Sequence, residues 1–168
     1  IPSQAASSSL REMISRMIKN GEIVPAEVTI KLLQTAISND ARDYFLIDGF
    51  PRNFENQTEF LRITGWDCEF VLFFHCPEEV MEARLLERGK TSGRSDDNPE
   101  SIRKRFKVFQ DLSKPVIDHY ASQDKVVTIE ATKAVDEVFS QVSTELKARL
   151  PSKTPAASST KVSLVKSL

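Results

Sequence analysis

Tyr44-Phe45-Leu46-Ile47-Asp48-Gly49-Phe50-Pro51-Arg52 is the stretch on which the fold turns. Four apolar residues in succession suit a strand buried on both faces, as in a parallel sheet. The run stops at an Asp-Gly pair, and Pro51 then fixes the backbone that presents Arg52. In a parallel sheet, ligands bind beyond the carboxyl ends of the strands, so Asp48 and Arg52 fall where chemistry is expected. A carboxylate there can hold a water of a phosphate-bound magnesium ion. Gly49 lets a ligand approach the backbone, and a guanidinium pairs with phosphate in a fork that lysine lacks.

Outward from this point the pattern repeats. Phe70-Val71-Leu72-Phe73-Phe74 and Val126-Val127-Thr128-Ile129 read as two further buried strands. Helical patterns occupy Asn53 to about Ile63, Pro77 to Arg88, Asn98 to about His119, and Ala134 to Leu150. Strands alternating with helices give an α/β fold, a three-layer parallel sheet with helices on both faces. Three strands are few for this architecture.

Upstream, Ser9-Leu10-Arg11-Glu12 reads as a capping box after an irregular start over residues 1–9. Leu10, Met13, Ile14, Met17 and Ile18 form a helical stripe that Gly21 closes, and Pro25 opens the next helix. Residues 151–168 are rich in Pro, Ser, Thr, Ala and Lys and read as a disordered tail, leaving one domain over residues 10–150.

The composition is that of an ordinary soluble protein: 168 residues, 40% hydrophobic and 28% charged. The chain carries −1 overall and its last 18 residues carry +3, leaving −4 for the rest. No nucleic-acid or membrane partner is expected from that balance. Two cysteines, Cys68 and Cys76, are too few for a disulfide framework and fit a reducing compartment.

A second string completes the chemistry: Glu87-Arg88-Gly89-Lys90-Thr91-Ser92-Gly93-Arg94-Ser95-Asp96-Asp97-Asn98, followed by Arg103 and Arg105. The pattern predicts a helix ending at Arg88, a polar loop of about residues 90–100 with glycine at both ends, and a new helix from Asn98-Pro99. Arg88, Arg94 and Arg105 could then converge on one cleft, as phosphoryl transfer requires.

These two strings, with Gly21-Glu22-Ile23-Val24-Pro25, resemble the nucleoside-monophosphate kinases, the adenylate kinase-like enzymes. Within them the resemblance is to UMP/CMP kinases, the fungal uridylate kinase type above all, over about residues 11–149. It implies transfer of the ATP γ-phosphate to UMP or CMP, with Mg²⁺, by a monomer of the cytoplasm and the nucleus. Glu22, Ile23 and Val24 would line the monophosphate nucleoside through backbone, beside Gly49, Phe50 and Pro51. Arg52 would grip its phosphate, and Asn56 would touch the base. Arg94 and Arg105 would clamp the phosphoryl group in transit, and Asp48 would hold magnesium through water. Arg88 would lie along ATP, and Lys133 would pass its backbone near the adenine. His75 stands where such enzymes often carry an acid at the strand end.

The family also begins with a strand, a glycine-rich phosphate loop with a lysine, and a further arginine-bearing helix. No Gly-x-x-x-x-Gly-Lys occurs in these 168 residues. The resemblance therefore implies an incomplete copy, lacking the first two strands, unstable and unable to transfer phosphate by itself. Two other readings stand beside it: an adenylate kinase acting on AMP, and a truncated nucleotide-binding product without catalysis.

Overall fold

In the computed structural model, the described residues are 3–20, 22–42 and 44–150, with the side chains of 3–10 excepted. The helices α1 (Ser3–Lys19), α2 (Ala26–Ser38) and α3 (Phe54–Thr64) precede strand β1 (Val71–His75). After it come α4 (Glu78–Ser92), α5 (Pro99–Val108), a π-turn (Phe109–Ser113), α6 (Lys114–Ala121), β2 (Val126–Glu130) and α7 (Val135–Arg149).

β1 and β2 pair in parallel, Val71 opposite Val126 and His75 opposite Glu130. Side chains of β1 alternate strictly between faces, as strand geometry demands. Val71 and Phe73 join Val116, Ile117 and Tyr120 of α6 on one side. Leu72 and Phe74 pack with Val127, Ile129 and Val138, Val142 and Leu146 of α7 on the other. Helices thus cover both faces, which is the expected three-layer arrangement.

Tyr44–Ile47 departs from the expected third strand: it is not a strand of the sheet, which among the described residues has two. Its side chains still enter the core. Phe45 and Ile47 pack with Ile30, Ile37, Phe50 and Phe60, the layer between α2 and α3. Tyr44 reaches the α7 side of the sheet. Apolar runs dictate burial; a ladder additionally needs a neighbour to accept its hydrogen bonds.

Three helix bounds also differ from expectation. α1 extends back to Ser3, so Ser9 lies inside it and residues 3–9 are helical, not irregular. α4 continues through Gly89 to Ser92, leaving only residues 93–98 as the connecting loop. A helical glycine costs about 1 kcal/mol. Here it is required by space, since a Cβ at Gly89 would come within 2.7 Å of the Asp97 carbonyl oxygen. The long helix expected from Asn98 is instead α5 and α6 joined by the wide turn. Pro115 lacks the N–H that a regular helix would bond to the carbonyl four residues back, and a wider turn absorbs the fault.

Elsewhere the boundaries follow their signals. Asn53 and Asn98 cap α3 and α5 by accepting from the N–H groups of Asn56 (2.7 Å) and Ser101 (3.0 Å). Gly21 and the tail beyond Leu150 lie outside the described residues. No described helix is long and apolar enough to cross a membrane.

Candidate active site

A cavity of about 320 Å³ opens between the end of α1, α2, the Asp48–Arg52 loop and the loop following α4. One part of its wall is apolar, formed by Ile18, Val24, Leu33, Ile47 and Phe50. The other carries Arg52, Arg94 and Arg105, with Asp48 and Asp96. Such a division suits a ligand with a flat apolar end and an anionic end. Glu22, Ile23, Thr29, Gly49 and Asn56 complete the lining. The sequence-predicted substrate residues therefore come together at one place; Pro51 is buried behind it.

Local chemistry explains the shape of the Asp48–Arg52 loop. Gly49 has φ +70°, a conformation that disfavours side chains, and a Cβ there would meet Arg52 Nη2 at 3.3 Å. Arg52 Nε donates to the Gly49 carbonyl at 2.9 Å. The Phe50–Pro51 peptide is cis. Asn56, buried at the start of α3, accepts from the Arg52 backbone N–H through Oδ1 at 3.2 Å. That bond fixes which end of the amide is which, and among the described residues Nδ2 has no hydrogen-bond partner.

The loop after α4 is organised differently. Asp97, its side chain wholly enclosed, accepts a two-pronged bond from Arg88, 2.8 Å from Nε and 2.7 Å from Nη2. Asp96 accepts the same kind of fork from Arg94, at 3.0 and 2.9 Å, and a further bond from Arg105 at 3.1 Å. Arg105 also lies 3.6 Å from Asp97. Three cations thus share two carboxylates.

Electrostatics record the contrast. Hydrogen bonds from Arg94 and Arg88 hold the carboxyls of Asp96 and Asp97 below the usual aspartate value. The same bonds raise the Arg88 and Arg94 guanidiniums. Arg52 and Arg105 go the other way, lowered by partial removal from water. Arg52 makes no ion pair among the described residues. Asp48 and Asp96 attract it from a distance, without direct contact.

Not all expected residues converge. Arg88 and Lys133 do not line this cavity. Lys133 borders a second, more apolar hollow of about 660 Å³ with Phe74, Arg84, Val135 and Phe139. Arg84 holds the rim of that hollow, donating to the carbonyls of Ala131 (2.7 Å) and Thr132 (3.3 Å). Sequence reasoning missed Arg84 because its partners are backbone carbonyls 47 and 48 residues away. His75 sits at the end of β1 against Glu130, Nδ1 to Oε2 3.1 Å, an exposed pairing across the two strand ends.

Asp48 lines the first cavity and makes no ion pair among the described residues. Those residues contain no group of three acidic, histidine or cysteine side chains able to cage a metal. A single carboxylate fits an ion that arrives mostly coordinated by water and phosphate oxygens, as magnesium does with nucleotides.

Residues 2–125 match the family described as adenylate kinase. The chain is 58% identical over 130 residues to UMP-CMP kinase 3 of Arabidopsis thaliana, covering 77% of this chain and 63% of that protein. Against the uridylate kinase of Saccharomyces cerevisiae the identity is 48% over 140 residues, covering 82% and 68%. Against human UMP-CMP kinase it is 47% over 148 residues, covering 80% and 72%. The chain spans less than two thirds of the length of the Arabidopsis relative.

Proposed function

Because the chain belongs to the adenylate kinase family, we propose that its cavity is the monophosphate site of a kinase that phosphorylates UMP and CMP from ATP. The observation that carries this is the cavity itself, an apolar slot facing an unpaired Arg52 with Arg94 and Arg105 beside it. The base lies in the slot against Val24, Leu33 and Phe50, and Asn56 Nδ2 donates to a ring acceptor or carbonyl. Uracil and cytosine both offer one.

Arg52 grips the phosphate of the acceptor nucleotide. Arg94 and Arg105 neutralise the charge of the phosphoryl group as it passes in line, without a covalent intermediate. Arg88 and Lys133 serve the ATP side, Lys133 through its backbone. Magnesium, when bound with the nucleotide phosphates, supplies further charge neutralisation, and Asp48 is the side chain that holds its water. In this reading the enzyme works as a monomer in the cytoplasm and the nucleus.

The experiment is a calorimetric titration of the chain with UMP, CMP, AMP and GMP, which reads binding without requiring turnover. UMP and CMP should bind most tightly. A preference for AMP would move the assignment to adenylate kinase activity, and no binding by any of the four would remove it.

A further inference from the structure

Arg52 is held at three points, and only two of them come from its own neighbourhood. Asn56 takes its backbone N–H and Gly49 takes its Nε. The third is Ser113, 61 residues away, whose hydroxyl donates to the Arg52 carbonyl at 2.7 Å. Ser113 is buried and ends the π-turn between α5 and α6.

That position matters because Arg105 is on the same helical rod. In an unbroken α-helix, eight residues at 3.6 per turn would set Ser113 about 80° round from Arg105. The wide turn takes up roughly one extra residue and brings the two back towards one face, the face towards the cavity. The rod is in turn fixed to the sheet, since Phe109 stacks on Phe73 with ring centres 6.4 Å apart and Val116, Ile117 and Tyr120 pack on Val71. The bond from Ser113 therefore ties the loop that bears Arg52 to the rod that bears Arg105.

We propose that Ser113 is a positioning residue, which sets Arg52 relative to Arg105 by bonding the Arg52 carbonyl from the π-turn. This inference rests on reading the cavity as a monophosphate site. Ser113 touches no substrate; its effect passes through the Arg52 backbone, so it governs the phosphate and not the base.

Three variants test it: Ser113→Ala, which removes the donor, Ser113→Cys, which keeps the volume with a weaker donor, and Ser113→Thr, which keeps the hydroxyl. Each is titrated with UMP and with uridine, which lacks the phosphate, and its Tm is measured. Ser113→Ala should weaken UMP binding about tenfold, the order expected when one buried hydrogen bond is lost. Uridine binding should be unchanged, and Ser113→Thr should restore UMP. Should Ser113→Ala fail to fold, Ser113→Cys carries the test, with a smaller loss for UMP alone. Undiminished UMP binding in Ser113→Ala or Ser113→Cys overturns the inference, as does equal weakening of UMP and uridine. A wild-type chain that binds no monophosphate overturns the reading of the cavity and this inference with it.

Discussion

Two arginine-bearing segments face each other across the cavity, and they manage charge in opposite ways. Around the loop after α4, Arg88, Arg94 and Arg105 already have carboxylate partners, supplied by the loop's buried Asp96 and Asp97. In the Asp48–Arg52 loop, the hydrogen-bond partners of Arg52 are neutral, a carbonyl on its side chain and an amide and a hydroxyl on its backbone, and the Asp48 and Asp96 carboxylates act on it only from a distance. An internal ion pair makes a segment self-sufficient. A cation whose direct partners are neutral keeps more of its attraction for an incoming anion. The first segment keeps its shape when the site is empty, and the second, on the proposed reading of the cavity, is free to meet the phosphate of the acceptor nucleotide.

If this contrast holds, Arg52→Ala should show the largest effect. Removing a charge-assisted contact worth about 1.5–3 kcal/mol should weaken UMP binding roughly 10- to 150-fold with little change in Tm. Calorimetry and thermal unfolding together check it; an equal loss of stability would mean that Arg52 is a structural residue like its counterparts across the cavity.

Asp97→Asn should do the reverse. Its target is the fork with Arg88, enclosed on the carboxylate side but partly open to water on the arginine side. A loss of about 1–2 kcal/mol follows, discounted from a fully buried pair for that exposure. The pH dependence has a definite sign. The folded carboxyl titrates below its usual value, so its contribution is present above about pH 4 and lost as the pH falls through the lowered value. Urea unfolding across pH 2.5–7 should show a shallower acid limb in Asp97→Asn than in the wild type.

Gly89→Ala should have the smallest effect and is the finest probe of the self-sufficient segment. The new methyl must displace the Asp97 backbone, for which about 1–3 kcal/mol is the usual overpacking penalty. A gain of about 1 kcal/mol in helix propensity offsets part of it. A net loss of roughly 1 kcal/mol in denaturant unfolding is expected; a net gain would show that the loop after α4 yields easily.

Much of this was readable beforehand, and the exceptions share a cause. The two strings of chemistry-bearing residues do meet at one cavity through Arg52, Arg94 and Arg105, although Arg88 stays outside it. The alternation of Phe70–Phe74 between two helical layers follows from the apolar run alone. What was not readable is non-local. Tyr44–Ile47 has the composition of a strand, but pairing depends on a neighbour elsewhere in space. Gly89 looks like a helix stop until the Asp97 carbonyl above it is known. Asp96 and Asp97 stand in plain view within the loop string, yet adjacency says nothing about which arginine each will hold. Ser113 had one local clue, the proline two residues on, and nothing pointed to Arg52.

The extension of α4 through Gly89 alters what motion the arginine-bearing loop can make. With only residues 93–98 between α4 and α5, that loop is the tip of a stiff helical hairpin, pinned internally by its ion pairs. The 15 residues of α4 make an arm about 22 Å long, whose foot rests near the end of β1. Tilting such an arm by about 10° would carry its tip about 4 Å, enough to make or break a guanidinium–phosphate contact, while its ion pairs stay intact. Such a tilt would turn a small adjustment beside the sheet into a large one over the cavity by leverage, without bending the loop.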